Sequence, residues 1–381
     1  MSDTYIIGAG IIKFGRHPDR TPFQLAAEAS LLALDDAGLT IRDIDAIYAG
    51  STFNSASMVA QRMLHLIGQT GAACVNVSNA CAAGATAVRQ AVLAVKSGEY
   101  DIVLAVGAEK NPKGLMGGPL AEGPPPEGLF GSYAPPSIFA EAGMVHAARY
   151  GTTIEQFAQV SVKNHHHGTL NPKAAYQLET PMEDVLASEM ISWPLTKLMC
   201  SPNVDGAAAV IVVSEKKARE LGLGRAVRIR GSALVSDPYE PRSPDMFDPN
   251  SVTRLGVGKA YAMAGLGPED LDLVELHDCF ATAELLHYEN LGLCADGEAG
   301  RLIDSGDTEL GGRIPVNVSG GLLAKGHPIG ATGVANIVEI VEHLRGEAGA
   351  RQVAGAKIGL AHVLGFAGVA ACGVHILEKA G

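Results

Sequence analysis

NVSNACAAGA (76–85) and GHPIGATG (326–333) are the two stretches from which the fold of this chain follows. Each lies where a strand-like run passes into a helix-like run, and the second belongs to a segment that looks like a diverged copy of the first. The first turn carries Cys81 and the equivalent turn carries His327. Fold symmetry would bring a thiol nucleophile to an imidazole that can activate it. This pairing predicts acyl-transfer chemistry through a thioester.

The duplication extends beyond these two turns. Four short motifs recur in the same order, at offsets that drift from 227 to 246: AGL (37–39 and 264–266), Asp-x-Asp (43–45 and 270–272), VNVS (75–78 and 316–319) and GAT (84–86 and 330–332). The repeat is far longer than the roughly 20–50 residues of solenoid repeats, so each copy is expected to be the size of a domain.

Composition restricts the class of protein. The chain has 381 residues, of which 47% are hydrophobic and 18% are charged, so it can bury a large core. Its net charge of −12 argues against a nucleic-acid-binding surface. The six cysteines show no CxxC spacing, and neither a signal peptide nor an apolar run of membrane length is present. We therefore expect reduced thiols, a cytoplasmic location and no membrane partner.

Strand-like and helix-like segments alternate along the chain, which predicts an α/β fold with a mixed, mainly parallel sheet covered by helices. The alternation is interrupted over 111–203, which begins with a Gly- and Pro-rich stretch and continues as mainly helical sequence. We interpret 111–203 as an insertion that covers one face of the molecule. The predicted domains are an N-terminal half, 1–224, which contains this insertion, and a C-terminal half, 225–381.

Cys81 is predicted to open a helix over 81–98. Unpaired N–H groups and the positive end of the helix dipole would then lower the pKa of its thiol below the free value of about 8.5. Ala82, Ala83 and Gly84 are small, so a bulky acyl group could approach the sulfur. The alternative, a small cysteine buried in the core, stays open on this motif alone.

His327 lies on a tight loop before a helix that starts near Pro328 or Ile329, where it could orient a thiol or donate to an oxyanion. In HDCF (277–280), His277 and Cys279 stand two residues apart, so in an extended segment both project to one side. The plainer interpretation is that His277 and Asp278 only cap the helix that follows.

Two further segments contain candidate site residues. In HVLGFAG (362–368) the glycines allow a close backbone approach, and the N–H groups could form an oxyanion hole. His165, His166 and His167 look like metal ligands, but consecutive helical residues point about 100° apart, so we expect packing or surface roles and no metal site.

Together NVSNACAAGATA, HDCF, GHPIGATG and HVLGFAG resemble the thiolase superfamily, specifically the sterol-carrier-protein type, called lipid-transfer thiolases in bacteria. VKNHHHGTLNP (162–172) and SPNVDGAAAVIV (201–212) extend the resemblance over essentially the whole chain. The resemblance implies a five-layered αβαβα architecture of two similar halves, with a loop domain inserted in the first. It also implies a homodimer or a tetramer built as a dimer of dimers.

The resemblance further implies a role for each motif. Cys81 would take the acyl group and His327 would activate it, while Cys279 would move the proton that most thiolases move with a cysteine of a C-terminal Cys-x-Gly motif. His277 stands where common thiolases place an asparagine that holds an oxyanion-hole water. A second oxyanion hole would come from the N–H of Cys81 and from the 364–368 turn, so the supporting residues are His362, Leu364, Gly365 and Gly368.

Three hypotheses follow for the function. The first is an acetyl-CoA C-acyltransferase that cleaves 3-ketoacyl-CoA with CoA, or runs the reverse Claisen condensation, with CoA and acyl-CoA as substrates and no bound cofactor. The second is a thiolase-fold retro-aldolase that acts on a steroid or branched acyl-CoA with an OB-fold partner protein. The third is a non-catalytic subunit that binds acyl-CoA. Residues that bind the CoA phosphates cannot be assigned from the sequence.

Overall fold

The computed structural model describes residues 3–112, 134–239, 249–366 and 369–380. Nine strands form the main sheet in the order β3-β2-β4-β7-β1-β8-β11-β10-β9, and two short strands, β5 and β6, pair separately. The strands are β1 (Thr4–Ile11), β2 (Ala46–Gly50), β3 (Ala73–Val77), β4 (Ile102–Glu109), β5 (Met190–Ser192), β6 (Leu195–Thr196), β7 (Gly206–Ser214), β8 (Val227–Ser236), β9 (Leu273–Glu275), β10 (Ile358–Phe366) and β11 (Ala370–Lys379).

The helices alternate with the strands, as the sequence predicts. They are α1 (Pro22–Ala37), α2 (Val59–Ile67), α3 (Ala83–Lys96), α4 (Pro135–Tyr150), α5 (Ile154–Thr169), α6 (Met182–Ala187), α7 (Glu215–Leu221), α8 (Pro249–Ala264), α9 (Ala281–Asn290), α10 (Ala299–Asp304) and α11 (Ile329–Arg345). A π-helical turn, Gly321–Lys325, precedes the GHPIGATG stretch.

The two halves of the sheet have the same topology. In the first half β3, β2 and β4 are parallel, and β7 and β1 follow in antiparallel pairs. In the second half β9 and β10 are parallel, and β11 and β8 follow in antiparallel pairs. An isolated parallel bridge from Val274 to Val316 adds the counterpart of β3. The sequence repeats therefore correspond to a repeat of structure.

The repeated Asp-x-Asp motif shows the equivalence at the level of single hydrogen bonds. Asp45 accepts the N–H groups of residues 101 and 102, where β4 begins. Asp272 accepts those of residues 357 and 358, where β10 begins. In both halves one carboxylate therefore ties the loop before a strand to the start of the neighbouring strand.

Five layers result from the way helices cover the two half-sheets. Helices α1 and α2 pack on the outer face of the first half and α8 on that of the second, while α3 and α11 contact both halves from between them. Three hydrophobic clusters fill the outer first, central and outer second interfaces. The half-sheets join along β1 and β8 through two residue pairs, so they form one continuous sheet that encloses the central helices. The predicted α/β class with two duplicated halves is confirmed. The expectation that the sheet is mainly parallel was wrong, because five of the eight strand pairs in the described main sheet are antiparallel.

Residues 134–203 of the predicted insertion form α4, α5, α6 and the small β5–β6 hairpin. This is the mainly helical excursion that the sequence indicates, and most of its Gly- and Pro-rich beginning lies outside the described residues. The domain boundary between residues 224 and 225 stays a prediction. No described helix combines the length and apolarity needed to cross a membrane, and the cytoplasmic location stays a prediction.

Gly107 gives a test of how tightly the central layer is packed. A Cβ added there would lie 2.4 Å from the Gly330 carbonyl oxygen and 2.8 Å from the Ala331 Cα, and backbone atoms cannot rotate away. We expect Gly107→Ala to lower the free energy of unfolding by about 1–3 kcal/mol, as overpacking does. Chemical denaturation measures this change.

The matched control is Gly258→Ala on α8, where an added Cβ meets nothing within 4 Å. Because alanine favours a helix over glycine, this variant should be neutral or more stable by up to about 1 kcal/mol. Equal stability of both variants would contradict the close approach at Gly107.

Candidate active site

Cys81 lies in the tight turn between β3 and α3. Helix α3 begins at Ala83, two residues later than the sequence suggested, so Cys81 precedes the first helical turn. Ala80 has φ +47°, which turns the chain sharply before the cysteine. Gly365 of β10 packs on this turn, since a Cβ there would lie 2.2 Å from the Asn79 carbonyl oxygen. The turn is therefore held between its own helix and the second half of the molecule.

His327 lies at the start of α11, at the position the duplication predicts. Its Nε2 is 3.3 Å from the Sγ of Cys81, and its Nδ1 is 2.7 Å from the hydroxyl oxygen of Thr332. The Thr332 hydroxyl also lies 3.1 Å from the Pro328 carbonyl oxygen, to which it can donate. We therefore assign the proton of His327 to Nδ1, which leaves Nε2 free to accept the thiol proton. Asn111 donates to the His327 carbonyl oxygen at 2.7 Å and fixes the loop.

Glu109, at the end of β4, ties the two turns together and was not identified from the sequence. Its buried carboxylate accepts a hydrogen bond from the N–H of Gly330, in the first turn of α11. It also accepts the Ser51 hydroxyl, the N–H groups of Thr52 and Phe53, and the Asn54 amide. The signal available in the sequence was a glutamate that ends an otherwise apolar buried strand, because such a charge needs partners.

His277 and Cys279 follow β9, and both side chains reach the cavity that Cys81 and His327 also line. The His277 and His327 rings are 5.1 Å apart in a T-shaped arrangement. Donor atoms of Cys81, His277 and His327 all lie within 4.8 Å of one another. The expectation that alternate residues of HDCF point to one side therefore agrees with the geometry, and the expectation of a metal-free site stays a prediction.

Asp278 does not cap the helix that follows it. Helix α9 starts after Phe280 without a side-chain cap. The Asp278 carboxylate instead accepts the N–H groups of Leu322 and Leu323, at 2.7 and 3.2 Å, and so fixes the π-helical turn before His327. The capping interpretation of HDCF was wrong, because the Asp278 carboxylate bonds to the N–H groups of the π-helical turn and not to those of α9.

A buried polar network from α5 supports both loops, and its members were also missed. The amide of Asn164 donates to Asp278 at 2.8 Å and to Glu284 at 2.7 Å. The ammonium of Lys163 donates to Glu284 at 2.5 Å and to the Val316 carbonyl oxygen at 2.9 Å. The insertion thus supplies groups that hold the HDCF loop, which sequence spacing could not show across more than 100 residues.

The HVLGFAG segment includes the last residues of β10, and its residues lie in different positions relative to the cavity. Leu364 lines the cavity, and Gly365 packs on the Cys81 turn. His362 is fully buried behind the cavity wall, where its Nδ1 accepts a hydrogen bond from the backbone N–H of His277 at 3.5 Å. The N–H of Phe366 bonds to the Cys81 sulfur. Gly368 lies outside the described residues.

His165, His166 and His167 diverge as helical geometry requires. His165 lines the cavity, while His166 is exposed and pairs with Glu179. His167 is buried between the Asn317 carbonyl oxygen and the N–H of Leu310. The three imidazoles therefore do not share a site.

The cavity has a volume of about 750 Å³ and lies between the two halves and the insertion. Cys81 is partly exposed at the cavity wall, whereas Cys279 is only 7% exposed. Much of the rest of the lining is apolar, including Phe139, Phe280 and Leu323. A space of this size and character accommodates an extended organic ligand next to the two thiols.

Burial determines the protonation of the site, and it corrects the expectation for Cys81. Although the Cys81 side chain borders the cavity, protein atoms surround its sulfur, and this burial, followed by the charge of Glu109, raises the pKa of the thiol to about 12. The N–H groups of Phe366 and Cys81 oppose the rise. Burial lowers the pKa of His327 to about 3 and raises that of Cys279 well above its usual value. Cys81 and His327 therefore rest as a neutral thiol and a neutral imidazole, not as an ion pair.

This resting state predicts how Cys81 reacts with an alkylating agent. Because a raised pKa keeps the thiol protonated, the rate of Cys81 alkylation by iodoacetamide should rise continuously from pH 6 to pH 9 without a plateau. Mass spectrometry of the Cys81 peptide measures the rate, with Cys81→Ser as the blank for the other cysteines. A rate independent of pH across this range would indicate a thiolate–imidazolium pair and contradict the assignment.

Comparison with known protein families agrees with the fold and with the motifs. The family model described as "Thiolase, N-terminal domain" matches residues 4–114, and "Thiolase C-terminal domain-like" matches residues 242–379. The two matches cover the regions that contain Cys81, HDCF and His327.

Individual proteins give the same result. The chain is 39% identical over 387 residues to sterol carrier protein 2 of Homo sapiens, covering 96% of this chain and 70% of that protein. It is 40% identical over 391 residues to the acetyl-CoA acetyltransferase of Methanothermobacter thermautotrophicus, covering all of both. A chain of the Ltp2-ChsH2(DUF35) aldolase superposes with a TM-score of 0.84 at 30% identity, covering 99% of this chain and 98% of that one. The protein therefore belongs to the thiolase family, with sterol-carrier-protein-type thiolases among its relatives.

Proposed function

We propose that this protein is an acetyl-CoA C-acyltransferase, which cleaves a 3-ketoacyl-CoA with CoA or catalyses the reverse condensation through an acyl-Cys81 thioester. The observation that carries the proposal is the 3.3 Å contact between the Cys81 Sγ and the His327 Nε2, at the wall of a cavity that Cys279 also reaches. The likeness to an acetyl-CoA acetyltransferase over the whole chain supports it.

In the first half-reaction Cys81 attacks the keto carbon while its proton passes to the Nε2 of His327. The bond between the α-carbon and the keto carbon then breaks, and its electron pair leaves as the enolate of acetyl-CoA. The Cys279 thiol gives its proton to the α-carbon of that enolate, which leaves a Cys279 thiolate and an acyl group on Cys81. Acetyl-CoA can then depart.

The second half-reaction releases the acyl group. The Cys279 thiolate takes the proton of an incoming CoA thiol, and the CoA sulfur attacks the acyl-Cys81 carbonyl. Cys81 leaves as the acyl group moves to CoA and recovers its proton from His327. Both cysteines return to the neutral thiol, which is the form that burial favours at rest.

Negative charge develops on the substrate oxygen in both half-reactions, and several groups are placed to receive it. His277 lines the cavity beside Cys81, and the N–H of Phe366 reaches the Cys81 sulfur. We propose that His277 with His327, and the N–H groups of Cys81 and of the segment after Leu364, form two oxyanion holes. No bound cofactor takes part in this scheme, and CoA is a substrate.

A second function rests on the likeness to the Ltp2-ChsH2(DUF35) aldolase, which is strong in both fold and sequence. In that case the protein would act as a retro-aldolase on a steroid or branched acyl-CoA, together with an OB-fold partner. Cys81 and Cys279 favour the thiolase, because an aldol cleavage needs no acyl-cysteine. A non-catalytic acyl-CoA-binding role would make no use of the Cys81–His327 contact.

We also propose a homodimer or a tetramer. Strand β3 lies at the open edge of the sheet, paired only with β2 among the described strands. Its Val75 is 42% exposed, and an exposed strand edge with apolar side chains favours pairing with another copy. Light scattering coupled to size-exclusion chromatography measures the mass directly.

The cysteines give the central test of the proposed reaction. Cys81→Ala should reduce CoA-dependent cleavage of 3-ketoacyl-CoA by about 10⁴-fold or more while acyl-CoA binding is retained, since the nucleophile is lost. Cys279→Ala should reduce it by about 10²–10⁴-fold, the usual contribution of a general acid or base. A panel of short, long and steroid-like 3-ketoacyl-CoAs identifies the substrate class.

The matched control is Cys294→Ala, because Cys294 is partly buried and does not line the cavity. Its activity should equal that of the wild-type protein. If the folded wild-type protein cleaves no member of the panel, the thiolase proposal fails, and cleavage that appears only on addition of an OB-fold protein would support the aldolase.

Mass spectrometry identifies the covalent intermediate. Incubation of the wild-type protein with a 3-ketoacyl-CoA and no free CoA should add one acyl group to the peptide that contains Cys81, since the second half-reaction cannot proceed. His327→Ala should form this adduct far more slowly, because the thiol then lacks its proton acceptor. An acyl group found on Cys279 instead would reverse the assigned roles.

A further inference from the structure

Behind the cavity wall a row of three buried imidazoles leads away from the proposed oxyanion hole. His277 lines the cavity, His362 lies behind it on β10, and His287 follows on α9. Each is at most 1% exposed. The backbone N–H of His277 donates to the Nδ1 of His362 at 3.5 Å, and the ring centroids of His362 and His287 are 4.6 Å apart. His287 and His362 have no place in the reaction scheme above.

The orientation of His287 is set from the protein surface. Arg254, which pairs with the exposed Asp296, donates its Nε proton to the Oδ1 of Asn290 at 2.9 Å. Because a guanidinium can only donate, the amide oxygen of Asn290 must face Arg254, and the amide nitrogen faces the Nδ1 of His287 at 3.4 Å. His287 therefore accepts at Nδ1. Since burial lowers its pKa to about 3, the ring is neutral and carries its proton on Nε2.

His362 has the same tautomer for an independent reason. Its Nδ1 accepts the backbone N–H of His277, and burial lowers its pKa well below the usual value, so the proton is on Nε2. Among the described residues, neither the Nε2 of His362 nor that of His287 has a hydrogen-bond partner. The Nδ1 of His277 likewise has none. Two donors and one nitrogen that can accept are thus buried without partners in the part of the chain that the structure describes.

We propose that His362 and His287 are positioning residues that fix the tautomer of His277 through one ordered water. This water accepts the Nε2–H groups of His362 and His287 and donates to the Nδ1 of His277, which satisfies all three buried nitrogens. The proton of His277 then lies on Nε2, the nitrogen left to face the cavity. The inference rests on the proposed function, because the cavity-facing N–H is the group that donates to the substrate oxygen.

The tautomer of His277 determines whether its ring stabilises or destabilises the oxyanion that forms on the substrate. With the proton on Nε2, the ring offers a donor to the developing oxyanion without carrying a charge of its own. With the proton on Nδ1, the lone pair of Nε2 would face the same oxyanion and repel it. A buried neutral histidine therefore needs a fixed partner at Nδ1 to act as a donor, as ligating histidines do.

Nuclear magnetic resonance of ¹⁵N-histidine-labelled protein reads the tautomers without any need for turnover. In the wild-type protein His277, His287 and His362 should all show the Nε2–H pattern. In His287→Phe the water loses one donor, and His277 should shift to a mixture of both tautomers. If His287 carries its proton on Nδ1, or if His277 is unchanged in His287→Phe, the proposal is overturned.

Asn290→Asp provides a second variant with almost no change in shape. It places an oxygen where the amide nitrogen faced His287, so His287 should move its proton to Nδ1 and the tautomer of His277 should shift. The matched control is Asn250→Asp, which adds the same charge beside Asn290. It retains the oxygen at position 250 that accepts a hydrogen bond from the Asn290 amide. The control should leave all three tautomers as in the wild-type protein, and a shift of His277 in the control as large as in Asn290→Asp would overturn the proposal.

Kinetics give the functional readout. In His287→Phe and Asn290→Asp, kcat should fall by about threefold to tenfold, a fraction of the roughly 10²–10³-fold loss that follows removal of a whole oxyanion-hole donor, while KM stays within about twofold. A rise in KM with unchanged kcat would assign these residues to substrate binding and overturn the proposal. If the wild-type protein shows no thiolase turnover, the proposed function fails, whereas the tautomer measurement still tests the positioning role.

Discussion

The backbone contact between α3 and α11 is the constraint on which the rest of the structure depends. A Cβ on Gly84 would lie 2.7 Å from the Gly330 carbonyl oxygen, and one on Gly333 would lie 2.4 Å from the N of Ala85. The two central helices therefore touch at their first turns, where only small residues fit. Cys81 and His327 each stand three residues before one of these contacts, at equivalent positions of the duplicated halves. Their 3.3 Å approach follows from that crossing.

Such a site buries polar groups, and a buried polar group is stable only with hydrogen-bond partners. Glu109 collects five donors from the loop after β2 and from α11. Asp278 and Glu284 share the amide of Asn164, and Lys163 neutralises Glu284. Asn164 and Lys163 both belong to α5, in the insertion. The insertion thus stabilises the HDCF loop in addition to forming part of the cavity wall.

Burial also sets the protonation of the two cysteines and of His327. A helix N-terminus would favour a thiolate, but Cys81 precedes α3, and burial with the nearby charge of Glu109 raises the pKa of its thiol instead. A neutral thiol beside a neutral imidazole has to transfer its proton as it attacks. That arrangement suits the proposed acyl transfer, in which each thiol gives up its proton in one step and recovers it in another.

The sequence by itself determined the duplicated α/β fold and the motifs that meet at its centre. Periodic apolar segments and repeated turn motifs report local backbone geometry, and copies with the same local geometry fold alike, so Cys81 and His327 could be paired by symmetry alone. The alternation of His277 and Cys279 was likewise a local property. The placement of Asp278, Lys163 and Glu109, the burial that reverses the expected pKa of Cys81 and the row behind His277 were decided only by the tertiary structure. These depend on contacts between segments far apart in the chain, and neither desolvation nor such contacts leave a periodic signal in the sequence.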